Sequence, residues 1–112
     1  MANSKQTKGS YRQIIVDTDP GANGYWCEPV QTNKEGADYL FFAMEDSGGD
    51  ATVTIQFKQP GGAWTDLSHS ETIEDGAAFV FDTGSAPLSW RIGVKDNNQG
   101  TGTVRAGLYW NR

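Results

Sequence analysis

Apolar and polar residues alternate most clearly over residues 51–67, ATVTIQFKQPGGAWTDL. Val53, Ile55 and Phe57 are separated by polar residues, and successive side chains of an extended chain point to opposite faces. This pattern predicts a strand with one face toward a core and the other toward water. The Pro-Gly-Gly sequence at 60–62 predicts a turn, because proline cannot donate to a sheet and glycine adopts positive φ at little cost. The stretch therefore predicts a β-hairpin.

Two later stretches alternate in the same way, LSWRIGVK at 88–95 and TVRAGLYW at 103–110. Their apolar sets, which include Trp90 and Trp110, are expected to face a core. We expect the loop between the two stretches, DNNQGTG, to close a second hairpin. Further short strands are predicted at 11–17, 25–31, 37–45, 72–73 and 77–82. About eight strands at this spacing predict an all-β fold, a single antiparallel β-sandwich, with a jelly roll as one possible arrangement.

The run Tyr39–Met44, YLFFAM, contains no polar residue. It predicts a strand that is covered on both sides, or a strand with one face in the core and the other against a partner. A buried helix is the alternative, but the run is short and aromatic. We therefore expect the outward face of this run to contact another protein.

The first ten residues are polar and have no apolar anchor. Such a segment is normally disordered unless a neighbour orders it. We therefore divide the chain into an extended N-terminal arm at 1–10, which contacts a neighbouring subunit, and a β-sandwich domain at 11–112.

Fourteen acidic and nine basic residues give a formal net charge of −5, which argues against binding to nucleic acid or to an anionic membrane. The single cysteine excludes an intrachain disulfide and favours an intracellular origin. The N-terminus lacks the apolar run of a signal peptide, and no apolar run approaches the roughly 20 residues of a membrane-spanning helix. Secretion and membrane insertion are therefore not expected.

Catalytic chemistry has little support in the sequence. Ser70, His69 and Asp66 could be drawn as a triad, but neither a nucleophile turn nor an oxyanion hole has a signature here, so a solvated loop histidine is favoured. Cys27 fits a small buried core residue. We expect no catalytic residue, no cofactor and no enzymatic activity.

Metal binding is also weakly supported. One histidine and one cysteine cannot supply the four ligands of a structural zinc site. Asp17, Asp19 and Asn23 resemble the opening of a calcium loop, but no glutamate closes a twelve-residue loop. Because aspartate, asparagine and glycine are also the ordinary residues of tight turns, a turn is favoured and calcium is the alternative.

Exposed aromatic residues are the better functional lead. Trp64 lies beside the Gly-Gly turn, and Tyr109 lies on an outward strand face. Both could stack on sugar rings, as aromatic residues do in carbohydrate-binding modules. Arg91, Lys95 and Arg105 are also outward, and on neighbouring strands they would form a basic strip suited to an acidic protein partner.

The runs TVTIQFKQPGGAWTDL and WRIGVKDNNQGTGTVRAGLYW together resemble small β-sandwich virion proteins of tailed bacteriophages, of the capsid decoration, staple or head-fibre type. The resemblance implies a structural protein that decorates or cements the capsid surface. It also implies assembly in the host cytoplasm, location in the virion, and a homo-dimer or homo-trimer bound to the major capsid protein or another virion protein. The alternative is a carbohydrate-binding module of a phage host-recognition or tail apparatus, with a glycan ligand.

The contact residues expected from these arguments lie in the arm, on the outward face of the apolar run and on the later strands. They are Lys5, Lys8, Tyr11, Arg12, Tyr39, Phe41, Trp64, Arg91, Arg105 and Tyr109.

Overall fold

The structure is a computed structural model of the chain, and it describes residues 3–8, 11–32, 39–67, 72–74, 77–82 and 87–111. The described residues form eleven strands. They are β1 (Ser4–Lys8), β2 (Tyr11–Val16), β3 (Tyr25–Trp26), β4 (Val30–Gln31), β5 (Tyr39–Asp46), β6 (Thr52–Lys58), β7 (Thr65–Asp66), β8 (Thr72–Glu74), β9 (Ala77–Asp82), β10 (Ser89–Val94) and β11 (Val104–Asn111). His69 and Ser70 lie outside the described residues.

The strands form two antiparallel sheets that face each other. The first sheet has the order β1-β2-β11-β5-β9, and the second has the order β3-β10-β6-β7, with β4 beside β10 and β8 beside β6. This arrangement confirms the predicted all-β antiparallel sandwich. The predicted strand at 25–31 is divided into β3 and β4, as expected for a segment that contains Pro29.

The core lies between the sheets and is built from the inward residue of each alternating pair. Phe42 and Leu108 of the first sheet and Ile55 and Ile92 of the second are fully buried. The Phe42 ring lies 6.0 Å from the Trp90 ring across the core. Trp90 and Trp110 are 7% and 4% exposed, which confirms their prediction as core residues.

The predicted hairpin is present. β6 pairs with β7, and the Gly62 N–H donates to the Gln59 carbonyl at 2.9 Å across the turn. Gly61 has φ of 74° after Pro60, the combination typical of a type II turn. The prediction that the polar face of β6 lies in water is wrong for Thr54 and Gln56, which are 0% and 8% exposed. The side chains described below contact Gln56.

Residues 4–8 do not form a free arm. β1 pairs with β2 over its whole length, from Ser4 opposite Ile15 to Lys8 opposite Tyr11. The Asn3 side-chain oxygen accepts from the Asp17 N–H at 3.0 Å. Polar residues can be held in this way because backbone hydrogen bonds at a sheet edge need no apolar side chain. The expectation that this segment needs a neighbour to order it is corrected accordingly.

The loop 96–102 does not close a hairpin. It connects β10, which pairs with β6 in the second sheet, to β11, which pairs with β2 and β5 in the first. Arg91 and Arg105 consequently lie on different sheets, and the predicted basic strip across neighbouring strands does not form. Alternation predicts which face of a strand is buried. The alternating pattern is the same in two strands that pair and in two strands of opposite sheets, so it does not predict pairing.

The acidic residue Asp19 supports a turn. Its carboxylate accepts from the backbone N–H groups of Asn97 at 3.0 Å and Gly21 at 3.4 Å, and these bonds lower its pKa below the ordinary value. Within the described ranges, no group of three metal-ligating side chains is close enough to hold an ion.

The described residues contain no helix that is long and apolar enough to cross a membrane. Cys27 is 2% exposed, which confirms its prediction as a buried residue.

Candidate binding faces

A row of large side chains crosses the outer side of the first sheet. Tyr109 on β11 lies opposite Tyr11 on β2 and opposite Phe41 on β5, and Phe41 in turn lies opposite Val80 on β9. Tyr39, two residues from Phe41, points to the same side. We call these five residues the aromatic face. At strand spacings of about 4.8 Å the row is roughly 15 Å long.

The aromatic face holds the large apolar side chains that are exposed in the described part of the chain. Tyr39 is 43% exposed, Phe41 is 40% exposed and Val80 is 58% exposed. The inward residues of β5, Leu40 and Phe42, are fully buried. The run Tyr39–Met44 therefore has one face in the core and presents the other, so the prediction of cover on both sides is wrong. Its contact with a partner stays a prediction.

The glycine at 107 makes room for the Tyr109 ring. A Cβ placed on Gly107 would lie 2.7 to 2.9 Å from three atoms of that ring, so the ring leans along the strand over the glycine. The Tyr11 and Tyr109 rings are stacked, with centroids 5.6 Å apart and planes 27° apart. The Gln13 amide donates to the Tyr109 hydroxyl at 3.4 Å. The aromatic face is thus ordered before any ligand arrives.

A shallow groove of about 180 Å³ runs beside the tyrosine rings. Ala43, Gly107 and Tyr109 are among the residues that line it. It also carries an ion pair in which Arg105 Nε lies 3.3 Å from Glu45 Oε1, with both side chains largely exposed. The groove combines an apolar surface with hydrogen-bond donors and acceptors, which is what a hydroxylated ring requires.

Replacement of Gly107 by alanine tests this arrangement. We expect Gly107→Ala to displace the Tyr109 ring and to leave the free energy of unfolding unchanged, or higher by about 0.5–1 kcal/mol, because glycine weakens a strand interior. Thermal unfolding and the ring contacts between Tyr11 and Tyr109 in nuclear Overhauser spectra would measure both effects. A loss above about 2 kcal/mol would mean that the ring cannot move aside.

Some predicted contact residues meet on the aromatic face and others do not. The predicted contact residues on the aromatic face are Tyr11, Tyr39, Phe41 and Tyr109, and Arg105 lines the groove beside it. The backbone of Lys8 lies opposite that of Tyr11, and Lys5 lies further along β1. Arg12 lies in register with inward-facing Leu108, and its guanidinium contacts the Trp110 ring at 4.8 Å. Arg91 lies on β10 of the second sheet, and Trp64 immediately precedes β7.

On the outer side of the second sheet, Arg91 contacts two tryptophans. Its guanidinium carbon lies 4.2 Å from the centroid of Trp26 and 4.2 Å from that of Trp64. The sequence names Trp26 among the aromatic residues that could stack on sugars, but only Arg91 and Trp64 of these three were expected as contact residues. The available signal was Gly93, since glycine within an alternating strand marks a close approach of another group.

Two glycines accommodate Trp26. A Cβ on Gly93 would lie 2.4 Å from the Trp26 ring and 2.4 Å from the Tyr25 carbonyl oxygen. A Cβ on Gly24 would lie 2.7 Å from the Trp26 ring nitrogen, and Gly24 also has φ of 71°. The Trp26 ring N–H donates to the Asn23 carbonyl at 2.9 Å.

A chain of hydrogen bonds on the second sheet holds Arg91 in place. Arg91 Nε donates to Gln56 Oε1 at 2.8 Å, and Gln56 Nε2 donates to Asp66 Oδ1 at 2.8 Å. Lys95 Nζ donates to the second Asp66 oxygen at 2.5 Å. We call these four residues the Arg91 network. Burial lowers the pKa of the Arg91 guanidinium below its ordinary value.

The Asp66 carboxylate predicts a dependence of stability on acid. Burial raises its pKa, but hydrogen bonds from Lys95 and Gln56 outweigh burial, so the net pKa is lower than the ordinary 3.8. A lowered folded-state pKa stabilises the fold above the unfolded value, and this stabilisation is lost as pH falls through the folded value. We expect Asp66→Asn to cost about 0.5–1 kcal/mol at neutral pH and less at a pH well below the ordinary pKa of 3.8. Urea unfolding at both pH values would measure it, and an equal cost at both would contradict the pairing.

Structures of similar fold are known, although the sequence matches no protein family and no curated protein. The Yersinia pseudotuberculosis-derived mitogen is 15% identical, with a TM-score of 0.55, over 91% of this chain and 85% of that chain. A mutant of CBM29-2, a family 29 carbohydrate-binding module, is 13% identical, with a TM-score of 0.50, over 97% of this chain and 75% of that chain. At these identities the similarity establishes the fold, a β-sandwich shared with a carbohydrate-binding module.

The expectation that the chain has no enzymatic activity is corrected by the same comparison. Enzymes are among the structural matches, including hydroxypropylphosphonic acid epoxidase from S. wedmorenis, 9% identical with a TM-score of 0.49. The match covers 90% of this chain but only 42% of the epoxidase. The match establishes no activity for this chain.

Proposed function

We propose that this chain is a carbohydrate-binding β-sandwich module of a phage host-recognition or tail apparatus, and that the aromatic face is its glycan-binding surface. The observation that carries the proposal is the row in which Tyr11, Tyr109 and Phe41 lie side by side across three neighbouring strands, with the tyrosines half-buried and Phe41 exposed. The β-sandwich that the chain shares with a carbohydrate-binding module supports it through the fold alone.

Sugar rings have apolar faces and polar edges, and the aromatic face offers partners for both. Ring C–H groups pack against Tyr109 and Phe41, and the groove beside them supplies polar groups for hydroxyls. Gln13 can donate, Glu45 can accept, and Arg105 can donate. Because the tyrosine rings are already stacked and hydrogen-bonded, a glycan would lose little affinity to ordering of the site.

A second candidate is a virion protein that decorates the capsid through the same face. The specific observation in its favour is that the exposed side chains of Tyr39, Phe41 and Val80 adjoin one another on two paired strands. An apolar group of this kind is typical of a protein-protein contact. β1 at the edge of the same sheet extends the surface toward the N-terminus, where the sequence predicts contacts with a neighbour.

Glycan binding by matched variants tests the first candidate. We expect Tyr109→Ala to weaken binding to neutral oligosaccharides by about 30-fold, the cost of removing an aromatic anchor. Trp64→Ala, an aromatic change on the opposite side of the sandwich, should leave this binding unchanged. The measurement is a glycan array followed by titration calorimetry, with thermal unfolding as a check on folding.

The two candidates give different results. Capsid decoration would replace the carbohydrate proposal if two results were obtained together. The chain would cosediment with capsids and lose this binding in Val80→Asp, and the glycan array would show no binding. Glycan binding that Trp64→Ala abolishes and Tyr109→Ala preserves would remove the aromatic face from the first candidate.

A further inference from the structure

Arg91 carries a positive charge that no carboxylate of the described residues neutralises. Within the described part of the chain, Arg91 donates to the neutral amide of Gln56, and the nearby carboxylate of Asp66 is paired with Lys95 instead. A half-buried guanidinium without an anion is unusual, because burial of a charge is costly unless the charge is paired. The two tryptophan rings compensate in part through cation–π contacts.

The Arg91 network fixes the direction of the guanidinium. Gln56 accepts from Nε, and the rings of Trp26 and Trp64 each lie 4.2 Å from the guanidinium carbon. Among the described residues, none accepts a hydrogen bond from the two terminal nitrogens. Paired terminal nitrogens match the two oxygens of a carboxylate. A carboxylate is therefore the ligand that suits these donors best.

The surroundings of Arg91 suit a ligand that carries hydroxyls as well as a carboxylate. An open depression of about 490 Å³ adjoins it, and this space is of the size that a small ligand occupies. Trp26, Asn23, Lys95 and Asp96 also line the depression, and the Lys95 ammonium is paired with Asp66. Asp96 would repel a second carboxylate but can accept a hydroxyl proton.

We propose that the depression beside Arg91 is a binding site for a uronic acid, a sugar that carries a carboxylate. The carboxylate binds the terminal nitrogens of Arg91 with Lys95 nearby, one side of the sugar ring packs on Trp26, and the hydroxyls reach Asn23 and Asp96. This site is on the opposite side of the sandwich from the aromatic face, and it does not rest on the proposed function.

Sodium galacturonate is the probe, and the indole N–H signals of the full chain in two-dimensional NMR are the readout. We expect saturable shifts of the Trp26 and Trp64 signals, while those of the core residues Trp90 and Trp110 move little. Galactose and sodium acetate should each bind at least tenfold more weakly, since galactose lacks the carboxylate and acetate lacks the sugar ring. Absence of saturable shifts, or equal binding of either control compound, would overturn the proposal.

Arginine variants on the two sides of the sandwich complete the test. Arg91→Gln should reduce galacturonate affinity at least tenfold, and Arg105→Gln, an arginine on the opposite side, should leave it unchanged. Arg91→Lys keeps the charge and loses the planar fork, so an intermediate galacturonate affinity is expected. If Arg91→Gln does not fold, the affinity of Arg91→Lys tests the proposal instead. Equal loss in the Arg91 and Arg105 variants would overturn the proposal. Binding of neutral glycans to the aromatic face should survive Arg91→Gln, so the two sites can fail separately.

Discussion

Phe42→Ala is expected to lower the free energy of unfolding by about 3–5 kcal/mol. Phe42 is fully buried on the central part of β5, and its ring packs toward Trp90 of the opposite sheet at 6.0 Å. Removal of the ring leaves a cavity at the contact between the two sheets, in addition to the lost transfer of apolar surface from water. For a chain of this length the loss corresponds to a fall in Tm of roughly 12–20 °C.

Phe41→Ala is the matched control, because it removes the same side chain from the opposite face of the same strand. Phe41 is 40% exposed, so we expect a loss below about 1 kcal/mol. Urea unfolding of the two variants would measure the difference. Equal losses would contradict the assignment of the two faces of β5.

Gly93→Ala is expected to cost about 2–3 kcal/mol and to displace Trp26. The added Cβ would lie 2.4 Å from the Tyr25 carbonyl oxygen, which is backbone paired to β10 and cannot move without disturbing the strand. It would also lie 2.4 Å from the Trp26 ring, which must leave its place beside Arg91. Galacturonate affinity should fall together with stability.

Gly107→Ala provides the comparison, since it is the same substitution at an outward position of another central strand. There the added atom meets only the end of a tyrosine ring, and no loss of stability is expected. Unfolding free energies and the indole signal of Trp26 would be measured in both variants. An unshifted Trp26 signal and unchanged stability in Gly93→Ala would contradict the close approach of Trp26 to β10.

The sequence predicts the strands and their inward faces well. Alternation of side chains identifies β6, β10 and β11, and the inward positions of Trp90 and Trp110 follow from it. The turn after β6 follows from residue chemistry, because proline followed by glycine matches the φ angles that the turn needs. These features are local, and a single stretch of residues determines each of them.

Strand pairing could not be predicted from the same signal. β10 and β11 alternate alike and are adjacent in sequence, yet they belong to opposite sheets, so the expected basic strip divides into Arg105 paired with Glu45 and Arg91 beside two tryptophans. β1 was missed for a different reason. It is held by backbone hydrogen bonds at a sheet edge, and these leave no pattern in the side chains.

The candidate sites were predicted in part. Exposure of Tyr39 and Phe41 followed from an apolar run too long for one face of a core, and Tyr109 followed from alternation. The stacking of Tyr11 on Tyr109 depends on which strands pair, and the approach of Trp26 to Arg91 depends on a short strand that brings distant residues together. Glycine at 93 and 107 is the sequence feature that marks both places.

The most direct test of carbohydrate binding by the aromatic face is amide chemical-shift mapping of the full chain. Neutral hexasaccharides of glucose, mannose and galactose would be titrated separately. The proposal predicts that at least one of them gives saturable shifts concentrated at Tyr11, Phe41, Gly107 and Tyr109, and that Tyr109→Ala weakens this binding by about 30-fold. Absence of saturable shifts with every hexasaccharide, or shifts confined to the second sheet, would contradict it.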